Sequence, residues 1–546
     1  MRTGPTFLAS FLLISAAGTA AAQQPNPPTD PASVGNQGQA PSGDAVPAAA
    51  SPTAPPAEVA PPPAAPVAAS PLPAVQASPP VLPAPSAAAT ETTPKVNPEA
   101  PLETGPVAVK GKWSPVLYGF VEFDSMHDST ESFNDFMGNG VIADPTNSAY
   151  RGNHGRTQFG MRNSRLGFKL SAPESNGIKT TGILEMDFLG NQPNNPAQVG
   201  STSTFVSESG YFSSPTFRVR HFALKLENPY VDVLLGQYWQ LFGWQTYFHP
   251  NTVEIQGVPG QIFSRAAQAR LSHVFKTDPL NVELAVAASR PPQRDSGTPD
   301  GQAGLRFMIN DWKGVHTMGG AGTAADAAAI GFSGTARRFV LPAYQAPHTD
   351  KVSTTGWGVS TDVLLPIIPA SMDDRSNALT LTGSWVVGRG IGDLFTGLSD
   401  GNTASWPLPN PTGANPAPAY APTSTAPGYI NIDSGLVEFG ASGKPHAIMW
   451  QVFMGGVQYY LPPSGKLWVS ANYSHMKSND ILTFANRTAA NNAAIFNKAE
   501  WYDANLFLDV TIAARLGLEY AHTKQWFGDN TTRNNSRVQF SGWLIF

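Results

Sequence analysis

From Trp113 onward, apolar and polar residues alternate with a period of two. A β-strand imposes this period because successive side chains point to opposite faces. In Asn535–Phe546, Val538, Phe540, Gly542, Leu544 and Phe546 share one parity, and Arg537, Gln539 and Ser541 the other. Leu166, Phe168 and Leu170 likewise oppose Arg165, Gly167 and Lys169, while Leu184, Met186 and Phe188 oppose Glu185 and Asp187. Leu467, Val469, Ala471 and Tyr473 oppose Lys466, Ser470 and Asn472. The pattern predicts strands over 115–124, 162–171, 178–188, 216–227, 231–240, 265–275, 280–290, 301–309, 314–320, 354–367, 377–388, 447–461, 466–476, 502–512, 515–525 and 535–546, sixteen in all. Two places depart from the period. Phe217-Arg218-Val219-Arg220-His221-Phe222 switches parity, which requires a bulge or a packed interior. The Gly- and Ala-rich stretch 320–336 has no clear period, so the ninth strand is placed over 314–320.

Short turns such as Glu227-Asn228-Pro229-Tyr230, Thr277-Asp278-Pro279 and Pro462-Pro463-Ser464-Gly465 contrast with long connections over 125–161, 189–215, 241–264, 389–446 and 477–501. Short turns on one side and long loops on the other predict an all-β fold, a 16-stranded antiparallel transmembrane β-barrel, apolar towards lipid and polar towards a wet lumen. Both termini then lie on the periplasmic side. A charge turned to lipid costs about 2–4 kcal/mol at mid-bilayer, which is a physical cause for keeping charges on one parity. No segment reaches the roughly 18 apolar residues that a membrane helix needs.

Residues 1–22, with Arg2, an apolar run Phe7–Ala17 and Ala20-Ala21-Ala22 before Gln23, have the layout of a cleaved signal peptide. Residues 23–112 are dominated by Pro, Ala, Ser, Thr and Val, as in Pro61-Pro62-Pro63. Proline removes donors and fixes φ, so a disordered Pro/Ala-rich periplasmic linker is expected, acting either as a spacer or as a tether to the cell wall. The barrel then occupies 113–546. Aromatic Phe546 on an alternating strand is similar to the assembly signal of bacterial outer-membrane proteins. The implied partners are outer-membrane lipid and the barrel-assembly machinery, and the implied location is the outer membrane of a double-membraned bacterium.

Composition changes this picture little. At 41% hydrophobic and 13% charged the chain has soluble-like averages, as a barrel does when half of each strand faces its lumen. A net charge of -5 gives no sign of nucleic-acid binding. With no cysteine, disulfides and thiolate metal sites are excluded. The ten histidines form no ligand cluster, and no serine sits in a nucleophile elbow, so neither an enzyme nor a metal or other cofactor is expected. A plugged transporter would need about 22 strands, more than this length supplies. Twelve tryptophans, including Trp113, Trp239, Trp312, Trp357, Trp450, Trp501 and Trp543, lie mainly near predicted strand ends. They are expected to be interface anchors, the alternative being an aromatic stripe in the lumen.

The connection 241–264 is unsuited to open water. Trp239, Phe242 and Trp244 lead into Tyr247-Phe248-His249-Pro250 and then Val253–Gln261, with Gly257, Pro259 and Gly260. So apolar a loop is predicted to fold back into the lumen and narrow it. Arg165, Arg218, Arg220, Arg265, Arg270 and Arg306 lie on predicted strands or at their ends. A guanidinium in a narrow pore is a planar, permanently charged fork that pairs bidentately with a carboxylate. Each arginine could instead hold the wall together by pairing with Glu122, Asp124, Glu185 or Asp187. Glu254, within the loop, either pairs with an arginine or forms the negative side of a transverse field. Because local field outweighs net charge at a constriction, the basic residues flanking the loop predict anion preference.

Arg218-Val219-Arg220-His221, Gly-Gln-x-Trp at 236–239, Gln-Gly-x-Pro-Gly-Gln at 256–261 and Arg265-x-x-Gln-x-Arg270 together resemble the DcaP-like family of trimeric outer-membrane porins. Tyr118-Gly119-Phe120, Ser164-Arg165-Leu166-Gly167-Phe168 and Glu185-Met186-Asp187-Phe188 resemble the same family's early strands. The resemblance covers the first half of the barrel and, in the second half, the terminal strand. It implies a sixteen-stranded homotrimer whose inward loop and lumenal arginines admit small anionic solutes, carboxylates in particular. Where members often carry a coiled-coil-like N-terminal segment, this chain is Pro/Ala-rich, so a trimer would rest on barrel walls. The expectation from another class is a structural barrel anchoring the membrane to the cell wall through its tail.

Overall fold

The structure, a computed structural model, describes residues 113–137, 141–146, 149–190, 215–292, 296–318, 321–343, 350–398, 436–439, 444–484 and 496–546. The signal-peptide and linker segments, 1–22 and 23–112, lie outside the described residues. The barrel strands are β1 Ser114–Asp128, β2 in two pieces (Arg156–Gly160 and Arg165–Ser171), β3 Lys179–Asp187, β4 Arg218–Glu227, β5 Asp232–Trp239, β6 Arg265–Lys276, β7 Leu280–Ser289 and β8 Asp300–Met318. They continue as β9 Gly322–Pro342, β10 Lys351–Ile368, β11 Leu379–Arg389, β12 Met449–Tyr460, β13 Leu467–Lys477, β14 Phe496–Asp509, β15 Ala514–Phe527 and β16 Thr532–Ile545. Each pairs antiparallel with its sequence neighbours, and β16 returns to β1 from Phe120↔Ile545 to Asp128↔Arg537. Gly119 and Phe546 exchange backbone hydrogen bonds of 2.9 and 3.0 Å at this seam. The sheet is therefore a closed sixteen-stranded barrel with no free edge.

Parity sorts the side chains as the alternation requires. On β16, Val538, Phe540, Leu544 and Phe546 are exposed on the outside, whereas Arg537, Gln539 and Ser541 are fully buried inside. On β13, Leu467, Val469 and Tyr473 face out and Trp468, Ser470 and Asn472 in. Phe168, Phe222, Leu284, Phe332 and Phe453 carry the apolar exterior onto other strands. Such a surface suits hydrocarbon, so the barrel is a transmembrane one.

The eighth and ninth strands differ from expectation. Residues 301–309 and 314–320 belong largely to one long strand, β8, and the alanine-rich stretch is itself the ninth, β9. The missing period has a packing cause. The inner faces of these strands meet aromatic rings rather than water: a Cβ on Gly331 would sit 2.8 Å from the rings of Phe248 and Trp244, and one on Gly304 2.6 Å from Trp244. Small residues here make room for a packed lumen. At the other irregular place, Glu185 pairs with His221 and Met186 with Val219, so Arg220 is the extra residue of a bulge. The bulge turns both Arg220 and His221 inward, leaving them 2% and 4% exposed.

The tryptophans also differ. Trp357 and Trp385 face out, but Trp450, Trp468, Trp501 and Trp543 are buried on inner faces. Interface anchoring does not account for these four, because they pack against the loop described next.

Candidate functional site: a lumen crossed by an apolar loop

The connection between β5 and β6 enters the lumen and crosses it. Leu241 N–H donates to Gln302 Oε1 (2.9 Å), Gly243 N–H to Ser333 Oγ (2.8 Å), and Trp244 Nε1 to the Phe332 carbonyl (3.0 Å). These bonds fix the loop's first turn to β8 and β9. Beyond Pro250 the partners are on the far wall. Ser470 Oγ and Asn472 Nδ2 donate to the Asn251 carbonyl at 2.9 and 2.6 Å, and Ser474 Oγ to that of Pro259 at 2.7 Å. Val253 N–H donates to Asn505 Oδ1 (3.0 Å) and Glu254 N–H to Glu519 Oε2 (2.8 Å). Inward polar residues of β13–β15 thus satisfy loop backbone that would otherwise be buried without partners.

Apolar contacts complete the seating. Phe242, Val258 and Ile262 share a cluster with Trp450, Val452 and Trp501, while Val253 and Ile255 join Trp468, Phe507 and Trp543. Gly260 adopts φ +88° against the wall, where a Cβ would lie 2.8 Å from Val452. A side chain there is excluded twice, by conformation and by space. A second segment, Gly390–Leu398 after β11, reinforces the first from the long-loop side: Gly260 N–H bonds the Thr396 carbonyl (2.7 Å), Thr396 N–H that of Gln261 (2.9 Å), and Phe263 N–H that of Leu394 (2.9 Å). Buried Arg337 holds this segment through Asp393 (2.6 Å) and the Gly390 carbonyl (2.8 Å), while also bonding Asp300 (2.9 Å).

On the near wall, three guanidiniums share two carboxylates. Arg220 bonds Glu185 (2.7 Å) and Asp187 (3.0 Å), Arg218 bonds Asp187 through two nitrogens (3.0 and 2.8 Å), and Arg165 lies 3.6 Å from Glu185. Between this wall and the loop remains a cavity of about 520 Å³, whose lining reaches Lys179, Lys225 and Glu227 at the short-turn ends of β3 and β4. Its charged lining comprises Arg165, Lys169, Lys179, Arg220 and Lys225 against Glu185 and Glu227, five cations to two anions. His249 adds no charge there, since burial pushes its imidazole pKa down to about 3.

The other sequence candidates have different places. Arg265 stacks over Trp239 and Phe263, 4.9 and 5.4 Å from the ring centroids. Arg270 donates to Gln268 Oε1 (3.1 Å) and to the Trp239 carbonyl. Arg306 is bound by Glu283 and lies 4.2 Å from the Tyr247 ring centroid. Arg218, Arg265, Arg270 and Arg306 do not line the cavity. Glu254 faces the opposite wall, accepting from Met137 N–H (3.0 Å) with Arg537 Nη1 at 3.7 Å. Burial pushes its carboxyl well above the usual carboxylate range, against the pull of Arg537. Lys169, Lys179 and Lys225, absent from the sequence candidates, were findable: Lys169 shares the inward parity of Arg165, Lys179 that of Glu185, and, once the bulge is placed at Arg220, Lys225 that of His221.

These features define the class of protein, a transmembrane β-barrel whose lumen is occupied by its own loop and keeps a basic cavity. Among solved structures, the chain is similar to the outer-membrane channel DcaP of Acinetobacter baumannii, at 18% identity and a TM-score of 0.52, over 80% of this chain and 99% of that chain. It also matches the anion-selective porin from Comamonas acidovorans, at 12% identity and a TM-score of 0.41, over 80% of this chain and 100% of that one. At these identities the likeness to the Acinetobacter channel is one of fold, and it agrees with the barrel described above. No protein-family model and no curated protein matches the sequence.

Proposed function

We propose that the chain is an outer-membrane porin for passive uptake of small hydrophilic solutes, preferring anions and carboxylates among them, and related to the DcaP-like channels that its motifs resemble. The observation that carries this is the cation excess on the cavity. Arg220 lines it, and among the described residues its Nη2 has no hydrogen-bond partner although the side chain is only 3% exposed. A carboxylate supplies the missing acceptor with matching geometry. At a few ångströms and intermediate dielectric, each fixed charge is worth on the order of 1–4 kcal/mol to a permeating ion.

In this proposal the loop 241–264 is the constriction and Arg165 and Arg220 are its charges, while Arg265 holds Trp239 and Phe263 beside them. Residues 1–22 direct export, 23–112 form a periplasmic spacer, Phe546 is read by the assembly machinery, and three barrels associate through their walls. The test is reversal potential in a salt gradient, with chloride and with a small dicarboxylate, for Arg220→Gln and for Lys169→Gln/Lys225→Gln. Both variants should shift several-fold towards cations. An unchanged potential with the barrel intact would move the filter elsewhere, and absence of any current from the unaltered protein would leave the structural barrel.

A further inference from the structure

The outside of the far wall carries an arrangement that the passage of solute does not use. On β13, β14 and β15 the outward residues align in rows. Val469, Leu506 and Leu518 are paired in register, as are Ala471, Ala504 and Tyr520, then Tyr473, Tyr502 and His522. Two further rows towards the long-loop end are His475, Glu500 and Lys524, then Lys477, Lys498 and Trp526. The small pair Ala471 and Ala504 lies in an apolar exterior groove of about 570 Å³, whose other walls include Leu506, Leu518 and Val538. At the rim above, Lys498 Nζ and Lys524 Nζ sit 3.9 and 4.8 Å from the Trp526 ring centroid, and Glu500 binds Lys498 at 2.8 Å. Three lysines thus stand against one carboxylate on three adjacent strands. The corresponding rim of β1 and β2 presents His127, Thr157 and Phe159 instead.

The separation of groove and lysines matches one leaflet. From Ala471 to Lys477 is six residues along β13, about 20 Å at roughly 3.3 Å per residue and about 15 Å along the membrane normal for a strand tilted ~40°. That is half of the roughly 30 Å hydrocarbon core. We propose that this sector binds an acylated lipid of the outer leaflet bearing a phosphorylated headgroup. The phosphate is held by Lys477, Lys498 and Lys524, and an acyl chain lies in the Ala471–Ala504 groove. Charge selects this occupant over a neutral lipid, because clustered lysines at a membrane rim attract phosphate. The proposal rests on the barrel's orientation and not on what passes through it.

The test uses the full chain in mild detergent, titrated with bisphosphorylated lipid A and with its dephosphorylated form, and read by native mass spectrometry. The unaltered protein should retain the phosphorylated form at least tenfold more strongly. Lys477→Gln/Lys498→Gln/Lys524→Gln should abolish the difference, and Ala504→Trp should weaken both forms equally. If the triple variant fails to assemble, Lys477→Gln alone should still reduce the preference. Equal retention of the two forms by the unaltered protein would overturn the proposal. So would an Ala504→Trp variant that retains lipid but changes oligomeric state, since the groove would then be a contact between barrels.

Discussion

On β2–β4, Arg165, Arg218 and Arg220 share Glu185 and Asp187 beside a cavity, whereas across the lumen, on β14 and β15, Arg515 stands among Asp503, Asp509 and Glu519, all nearly fully buried. The near wall has more guanidiniums than carboxylates, and the far wall the reverse. Their surroundings differ more than their composition. The far wall is covered by the loop and its polar atoms are consumed in seating it: Asn505, Glu519, Ser470 and Asn472 all bond loop backbone. Charge left facing a cavity can act on a solute, whereas charge sealed beneath packed chain holds the molecule together.

The strongest way to break this contrast is to remove the seated segment. Its ends are adjacent, with Ser264 N–H bonded to Gln245 Oε1 at 2.7 Å, so a short Gly-Ser bridge can replace 246–261. Single-channel conductance should rise several-fold and ion preference should collapse, because the far-wall acids would then face water. Next comes Arg537→Ala. It removes both nitrogens that bind Asp128 (3.0 and 2.8 Å) and leaves that buried carboxylate uncompensated. A loss of about 3–5 kcal/mol is expected, read as the denaturant midpoint of the barrel, with ion preference unchanged. The smallest effect concerns residues 23–112, which belong to neither wall in the proposed organisation. A variant lacking them should conduct like the full chain, and lost conductance would assign the segment a part in the pore.

The strands were legible because lipid enforces an apolar outside, so parity survives wherever the inside is wet. Parity fails where Trp244, Tyr247 and Phe248 pack on β8 and β9, and there the ninth strand was misplaced. The bulge at Arg220 could be read as a violation of period, since two consecutive polar residues cannot both face inward on a regular strand. The segment Gly390–Leu398 was lost inside the long connection 389–446, although Ile391, Leu394 and Phe395 carry the same apolar signal as 241–264. Lys169, Lys179 and Lys225 share the inward parity of the wall's arginines and acids, so position along the strand, not charge type, is the signal that finds them.

The hydrogen bonds of the crossing loop also set an order of events. Val253 meets Asn505, 252 residues later, and Glu254 meets Glu519, 265 residues later. Until β14 and β15 exist, the far-wall dock is incomplete: Val253 and Glu254 lack their hydrogen-bond partners, and Val253 and Ile255 lack Phe507 to pack against. Contacts so distant in sequence form slowly, because the intervening chain must first be ordered. The interior of this barrel is therefore among its last parts to form, and a half-built molecule with this apolar segment unseated is open to aggregation.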